Sequence, residues 1–217
     1  MIEVNKYYIP PKITPLIPNS PKPLLHYPGA FKSGPATAAV DAYDKFSQNG
    51  WEVQWIFRYG KTQPSYFHSS AHECMAVLSG HATVRFGVAD AIHASNDDAG
   101  SEDGGLEIEA QAGDVFVIPA GVAHKTFNAK PENEFKLLTS RDGYGVAGDD
   151  VRTALAEVEL SGFTMIGAYP QGCARWDFIE YERDATKHPA TWSVEIPDCD
   201  PLLGTAAEGL RRLWQGQ

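Results

Sequence analysis

The sequence predicts an all-β fold: a single barrel or jelly roll with an extended proline-rich arm and peripheral helices. Between residues 51 and 59 apolar and polar side chains alternate, which is the period of a strand with one buried face. Short strand-like runs follow at close intervals, separated by glycine or proline, as is typical of a β-sandwich or barrel. The chain of 217 residues has room for one such domain.

The first 34 residues are predicted to form the arm, and residues 35–217 the single domain. Seven prolines lie within the first 28 residues. Because proline fixes φ and has no amide hydrogen to donate, we expect neither a helix nor a central strand there. The apolar residues of the arm indicate that it lies on a surface, either of its own domain or of a partner subunit.

Helices are expected outside the barrel, whose core is predicted over residues 51–181. Apolar residues at helical spacing predict a helix over 35–48, which Asn49-Gly50 ends. An aspartate cap predicts a second helix over 149–160, and a third is expected over 206–214. After the first strand, further strands are predicted over 65–69, 73–78, 81–86, 106–110, 114–118, 124–127, 135–139, 164–168 and 176–181.

Charge and cysteine content argue against several classes of protein. The formal charge is −10, from 18 basic and 28 acidic residues, and this balance disfavours binding to nucleic acid or to an anionic membrane. Residues 88–105 are acidic and predict a solvated insertion loop. No apolar run approaches the ~18 residues of a membrane span, and no signal peptide is recognised. Cys74, Cys173 and Cys199 form no disulfide framework, so we expect a cytoplasmic location.

A glycine-rich segment, Gly143–Gly148, fits the GxGxxG pattern of dinucleotide-binding loops. Asp149 and Asp150 follow it, where their charge would repel a pyrophosphate at the start of a helix. We therefore interpret this segment as a flexible turn between the barrel and the second helix.

Two spaced motifs lie between residues 60 and 128. The first consists of Gly60, five residues, Tyr66-Phe67-His68, four residues, Glu73, six residues and Gly80. The second consists of Gly113, five residues, Pro119-Ala120-Gly121, two residues, His124, three residues and Asn128. They resemble the two motifs of the cupin family, and the second agrees at every defined position. The segments 167–170 and 200–204 resemble the single-domain, YjlB-like cupins.

The resemblance implies a cupin barrel that holds one divalent metal ion at its mouth. The matching ligand positions are His68, Glu73 and His124. Two imidazoles and one carboxylate suit Fe(II) and leave open coordination positions, so iron is expected first. Imidazole also suits zinc, nickel and copper, and manganese is a further alternative.

Tyr66 and His72 are the predicted catalytic residues beside the metal. Tyr66 stands where the family usually has a histidine, and it could donate a hydrogen bond to substrate, bind a strongly acidic metal or fill space. His72 precedes Glu73, and neighbours on a strand point to opposite faces. Only one of the two is therefore expected to face inward. The motif favours Glu73, and His72 stays an alternative ligand or a nearby acid or base.

Several functions are compatible with this site. The first is a metal-dependent enzyme acting on a small organic molecule, with oxidoreductase or dioxygenase chemistry ahead of isomerisation or decarboxylation. The second is a non-catalytic module that binds or senses a small molecule, which the missing first histidine favours. Metal-free, epimerase-like chemistry is a third. The resemblance also implies a homodimer, with the arm suited to crossing the interface.

Overall fold

The computed structural model describes residues 2–11, 16–32, 34, 36–90, 105–139, 142–148 and 150–215. All ladders between its named strands are antiparallel. The strands are β1 Asn5–Tyr7, β2 Leu24–Tyr27, β3 Trp51–Tyr59, β4 Glu73–Ser79, β5 His81–Phe86, β6 Leu106–Gln111, β7 Val115–Ile118, β8 His124–Lys130, β9 Lys136–Leu137 and β10 Phe163–Pro170. The helices are α1 Ala38–Gln48, α2 Val151–Ala156, α3 His188–Trp192 and α4 Leu210–Trp214, with a 3₁₀ turn at Ala185–Lys187.

The strands form two sheets that pack against each other. The larger has the order β1-β2-β7-β4-β10-β3-β9, and the smaller has the order β6-β5-β8. Apolar side chains from both sheets share one core, including Met75 and Phe116 from the larger and Val84 and Phe86 from the smaller. This arrangement confirms the predicted all-β fold with helices at its flanks. In the described ranges, none of the helices has the length and hydropathy needed to cross a bilayer.

The central strand β4 is buried on both faces. Met75 belongs to the core between the sheets. Cys74 belongs to a second core outside the larger sheet, together with Phe46 of α1 and Trp214 of α4. Successive side chains of a strand point to opposite faces, so Glu73 lies on the inner face of β4 with Met75.

Strand β2 corrects the expectation for the N-terminal arm. It pairs with β1 on one side and with β7 on the other, so Leu24–Tyr27 is a central strand where none was predicted. The prolines at 23 and 28 flank this strand, and its four residues keep the amide hydrogens that two ladders need. The boundary at residue 34 stays a prediction.

Two predicted strands are replaced by isolated bridges. Residues 65–69 and 176–181 contribute only the pairs Tyr66 with His124 and Phe67 with Ile179. A single bridge does not require a regular strand, so the strand-like sequence pattern wrongly predicted strands in these two segments. The strand predicted over 135–139 is reduced to β9.

The helices begin later than predicted, at Ala38, Val151 and Leu210. The carboxylate of Asp150 accepts from the amide of Thr153 and caps α2. In the described residues no parallel ladder adjoins Gly143–Gly148, whose first glycine has φ of 91°. Most of the acidic insertion and Asp149 lie outside the described residues.

Candidate metal centre

Four of the predicted site residues meet at the end of the inner core. Glu73 begins β4 and His124 begins β8. Tyr66 is tied to His124 by two backbone hydrogen bonds, of 3.2 and 2.8 Å, and the carbonyl of His68 accepts from the amide of Gly121 at 2.9 Å. The side chains of all four are buried, with at most 8% of any residue exposed. The backbone of the two motifs thus brings together Tyr66, His68, Glu73 and His124.

The Glu73 carboxylate lies between two imidazoles. Its Oε1 is 3.3 Å from Nε2 of His68, and its Oε2 is 3.3 Å from Nε2 of His124. The contact with His124 is not aligned as a hydrogen bond, and among the described residues neither Glu73 Oε2 nor Nε2 of His124 has a hydrogen-bond partner. Leaving such buried atoms unpaired costs ~1–3 kcal/mol each. This end of the cluster therefore has unused capacity to bind a further group.

The charges in the cluster control its ionisation. Burial favours the neutral form of Glu73, but the charges of His68 and His124 and two hydrogen bonds outweigh it and lower the pKa of Glu73 to about 2. Burial lowers the pKa of His124 to about 4, although the charge of Glu73 opposes it. Burial alone would lower the pKa of His68. The charge of Glu73 and its hydrogen bond to His68 outweigh burial, so the pKa of His68 is raised. At neutral pH the cluster thus holds a carboxylate and a neutral His124 imidazole.

Tyr169, in β10, is a site residue that the sequence analysis missed. Its hydroxyl donates to Glu73 Oε1 at 2.6 Å and lies 3.2 Å from Nε2 of His68. The indole Nε1 of Trp55 donates to the same hydroxyl oxygen at 3.2 Å. The period of β10 was the available signal, because Met165 and Tyr169 both belong to the core between the sheets. The segment that contains Tyr169 was used only for its resemblance to a subfamily.

Residues 175–181, which we call the strap, cover the cluster from outside. The Nδ1 of His68 hydrogen-bonds to the carbonyl of Asp177. The amide and hydroxyl of Ser69 donate to the Asp177 carboxylate at 2.7 and 2.5 Å. Since a carbonyl only accepts, Nδ1 of His68 carries a proton and donates it, and Nε2 is the nitrogen that faces Glu73.

Two aromatic side chains of the strap close the cluster. Phe178 stacks on Tyr66 with ring centroids 4.0 Å apart, and Trp176 lies 5.2 Å from the ring of His68. Phe178 itself is 51% exposed. The strap thus forms a thin wall between the imidazoles and solvent.

Tyr66 lies beside both imidazoles without bonding to either. Its ring centroid is 4.4 Å from that of His124 and 5.5 Å from that of His68. Among the described residues its hydroxyl has no hydrogen-bond partner. Burial, with smaller contributions from Tyr59 and Glu73, raises the pKa of Tyr66 well above its usual value. Tyr66 therefore presents a protonated phenol next to the cluster.

His72 is not brought to the cluster. Its Nδ1 accepts from the amide of Ala120 at 2.9 Å, and its ring packs on Trp214 at 4.7 Å, outside the larger sheet. Burial, with the charge of Lys22, lowers the pKa of His72 to about 3. A cleft of about 1200 Å³ borders His72, but none of His68, Glu73 and His124 lines it. A catalytic role for His72 stays a prediction, and this placement favours a structural one.

The donor set fits a divalent metal in chemistry and in pairwise spacing. Ligands about 2.0–2.2 Å from one metal, at 90–109° to each other, lie about 2.9–3.5 Å apart. Both carboxylate–imidazole contacts, at 3.3 Å, fall in that range. In the described ranges, no three His, Cys, Asp or Glu side chains already lie in an arrangement that could hold an ion.

Comparisons with known proteins agree with the motifs. Residues 57–152 match the family model described as Cupin. The uncharacterized protein YjlB of Bacillus subtilis (strain 168) is 26% identical over 210 residues, which cover 91% of this chain and 90% of that protein. The similarity thus extends well beyond the two motifs, through nearly the whole of both chains.

Solved structures show a more distant likeness. Oxalate decarboxylase of Lactobacillus farciminis, determined as a formate complex, is 16% identical over 58% of this chain and 27% of that one, with a TM-score of 0.29. The vicilin of Solanum melongena is 20% identical over 57% of this chain and 24% of that one, with a TM-score of 0.30. This chain thus spans about a quarter of the length of either structure.

Proposed function

We propose that this chain, whose residues 57–152 match the family model described as Cupin, is a cupin and a metal-dependent enzyme acting on a small organic molecule. The observation that supports the proposal is the buried carboxylate of Glu73 between two imidazoles, with Glu73 Oε2 and His124 Nε2 unpaired within the described part of the chain. In this proposal His68, Glu73 and His124 hold one divalent metal. Iron is expected first, with zinc, nickel, manganese and copper as alternatives.

Each residue of the centre has a defined task in the proposed reaction. The bound metal would supply Lewis-acid or redox chemistry. Oxidoreductase or dioxygenase activity is the reaction class proposed first, and isomerisation or decarboxylation is the alternative. Glu73 supplies negative charge, and the bond from Nδ1 of His68 to the Asp177 carbonyl orients that imidazole. The hydroxyl of Tyr66 donates a hydrogen bond to an oxygen of the substrate or moves a proton there. Phe178 and Trp176 limit the access of water.

A second candidate function is the binding or sensing of a small molecule without catalysis. The phenol at position 66 supports it, because it replaces an imidazole that would strengthen metal binding. The homodimer and the cytoplasmic location stay predictions in both cases.

Elemental analysis of protein purified without added metal tests the proposed centre. The wild type should carry one equivalent of metal per chain, and His124→Ala should lose it. His81→Ala is the matched control, because His81 is exposed on β5 and should keep the metal. Retention of metal by His124→Ala, or a wild type free of metal, would refute the proposal.

Tyr66→Phe separates an enzyme from a binding module. In an enzyme, the variant keeps its metal and turns over ~10²–10⁴-fold more slowly, which is the usual effect of losing an acid or base. In a binding module, affinity falls by only the ~1 kcal/mol of one hydrogen bond. Oxygen uptake in the presence of candidate small organic acids and phenols provides the measurement. Full turnover by the variant would remove Tyr66 from the mechanism.

A further inference from the structure

We infer that Tyr169 is a positioning residue that holds Glu73 so that one carboxylate oxygen, Oε2, is left to bind the metal. The inference rests on the proposed metal centre and goes beyond it, because it concerns how the ligand is presented. The hydroxyl of Tyr169 lies 2.6 Å from Glu73 Oε1, whereas Oε2 has no hydrogen-bond partner in the ranges that the structure describes. The two oxygens of one buried carboxylate are thus unequal before any metal binds.

The partners of Tyr169 decide the direction of its hydrogen bond. An indole N–H can only donate and a carboxylate can only accept. Trp55 therefore donates to the hydroxyl oxygen at 3.2 Å, and the hydroxyl proton goes to Glu73 Oε1. Because the hydroxyl's one proton goes to Glu73, the hydroxyl donates no hydrogen bond to His68 Nε2, 3.2 Å away. Once His68 Nε2 has lost its own proton, three lone-pair donors are available to a metal: Nε2 of His68, Nε2 of His124 and Oε2 of Glu73.

Packing around Trp55 holds the donor in place. A Cβ at Gly167 would lie 2.1 Å from two atoms of the Trp55 ring, so the indole occupies the space of the missing side chain. On the other side, Trp176 stacks on Tyr169 with ring centroids 5.6 Å apart and an interplanar angle of 12°. Strand β10 thus contributes both the gap that seats Trp55 and the hydroxyl that Trp55 orients.

The chemical consequence concerns the open positions of the metal. A carboxylate that binds through both oxygens fills two positions, and one that binds through a single oxygen fills one. By engaging Oε1, Tyr169 favours the second mode and keeps one more position for substrate. Polar groups that orient a ligand in this way commonly contribute ~10–100-fold to metal affinity.

Tyr169→Phe tests the inference against a matched control, Tyr59→Phe. Both side chains are buried in the core between the sheets, and burial, with the nearby charge of Glu73, raises the pKa of Tyr59. Among the described residues no hydrogen bond joins Tyr59 to Glu73. Both substitutions remove one hydroxyl and keep the ring. Only Tyr169→Phe should free Oε1.

Two measurements are made on the full-length protein. Competition with a chelator measures the dissociation constant for Zn²⁺, and the visible absorption of the Co²⁺-substituted protein reports coordination number. We expect Tyr169→Phe to weaken Zn²⁺ binding ~10–100-fold and to change the Co²⁺ spectrum. Tyr59→Phe should match the wild type in both. Trp55→Phe keeps an aromatic ring without the donor and should shift both measurements in the same direction by less.

The outcomes separate this inference from the proposed function. A wild type that binds Zn²⁺ or Co²⁺, with Tyr169→Phe unchanged in affinity and spectrum, would overturn the inference and leave the metal centre standing. A tyrosinate-to-iron charge-transfer band in the Fe³⁺ protein that Tyr169→Phe removes would make Tyr169 a ligand and also overturn it. A wild type that binds none of these ions would refute both.

Discussion

The two faces of strand β4 place neighbouring residues in opposite chemical settings. Glu73, on the inner face, is 1% exposed and contacts His68, His124 and Tyr169. His72, immediately before the strand, is also 1% exposed, but its ring packs on Trp214 outside the sheet. Equal burial therefore says little about function. The partners that each face supplies decide whether a buried titratable group forms part of a cluster.

The three buried histidines near β4 show the same effect in their ionisation. Burial lowers the pKa of His72 to about 3, with no carboxylate to oppose it. For His124 the charge of Glu73 opposes burial, and the pKa is lowered to about 4. For His68 the charge and hydrogen bond of Glu73 prevail, and the pKa is raised. The inner face differs from the outer one because His68 and His124 share the carboxylate of Glu73.

Substituting the titratable residue on each face in turn should give the largest difference in Zn²⁺ affinity. Glu73→Gln removes the charged ligand, and we expect Zn²⁺ binding to weaken by more than ~100-fold, beyond the usual effect of a supporting hydrogen bond. His72→Gln keeps an acceptor for the Ala120 amide, and we expect wild-type affinity. Titration against a chelator measures both. Equal losses in the two variants would show that the faces are not chemically separate.

The pH dependence of stability should separate the buried histidines from Glu73 by window, in protein kept metal-free with chelator. The folded pKa of His72, about 3, lies below the 6.5 of the unfolded chain, so its contribution to stability is lost as pH falls from 6.5 toward 3. His124 acts in the same sense down to about 4. Glu73 contributes above 4.5, and its contribution is lost from there toward 2. His68, with a raised pKa, contributes at low pH and loses its contribution as pH rises through the folded value.

Urea unfolding between pH 6 and pH 5 reports on His72 and His124 together, and the His72→Gln variant isolates the contribution of the outer face. Each histidine that stays neutral in the fold adds ~1.4 kcal/mol per pH unit to the slope once the unfolded form is protonated. His72→Gln should therefore reduce the slope by one such contribution, and Glu73→Gln should act mainly below pH 4.5. An unchanged slope in His72→Gln would mean that His72 is not buried in its neutral form.

Removing one hydrogen bond that holds the strap should have the smallest effect on metal binding. This change tests whether the strap separates the inner face from solvent. Ser69→Ala removes the hydroxyl bond to Asp177 and leaves the amide bond. We expect release of Zn²⁺ to chelator to speed up about fivefold, corresponding to the ~1 kcal/mol of one hydrogen bond. Ser79→Ala, which removes a bond to the Gly162 carbonyl on another part of the barrel, is the control. Equal release from both variants would show that metal leaves by another route.

The sequence by itself determined the parts of the protein that depend on local spacing. Alternation predicted β3, and the antiparallel all-β fold followed from the many short runs. The two motifs singled out His68, Glu73 and His124 as the matching ligand positions. The structure brings their side chains together. A strand's period and a tight turn are properties of consecutive residues, so spacing alone could predict them.

The tertiary structure alone decided what depends on contacts between distant residues. Tyr169 is 96 residues from Glu73, and Asp177 is 109 residues from His68. No local period reports such pairs, so neither Tyr169 nor the strap was predicted as part of the site. The central position of β2 was missed for the same reason, since its partners are chosen by the packing of the whole sheet. His72 shows the limit most clearly: the motif favoured its neighbour Glu73 as the inward residue, but Ala120 and Trp214, which determine the chemistry of His72, come from elsewhere in the chain.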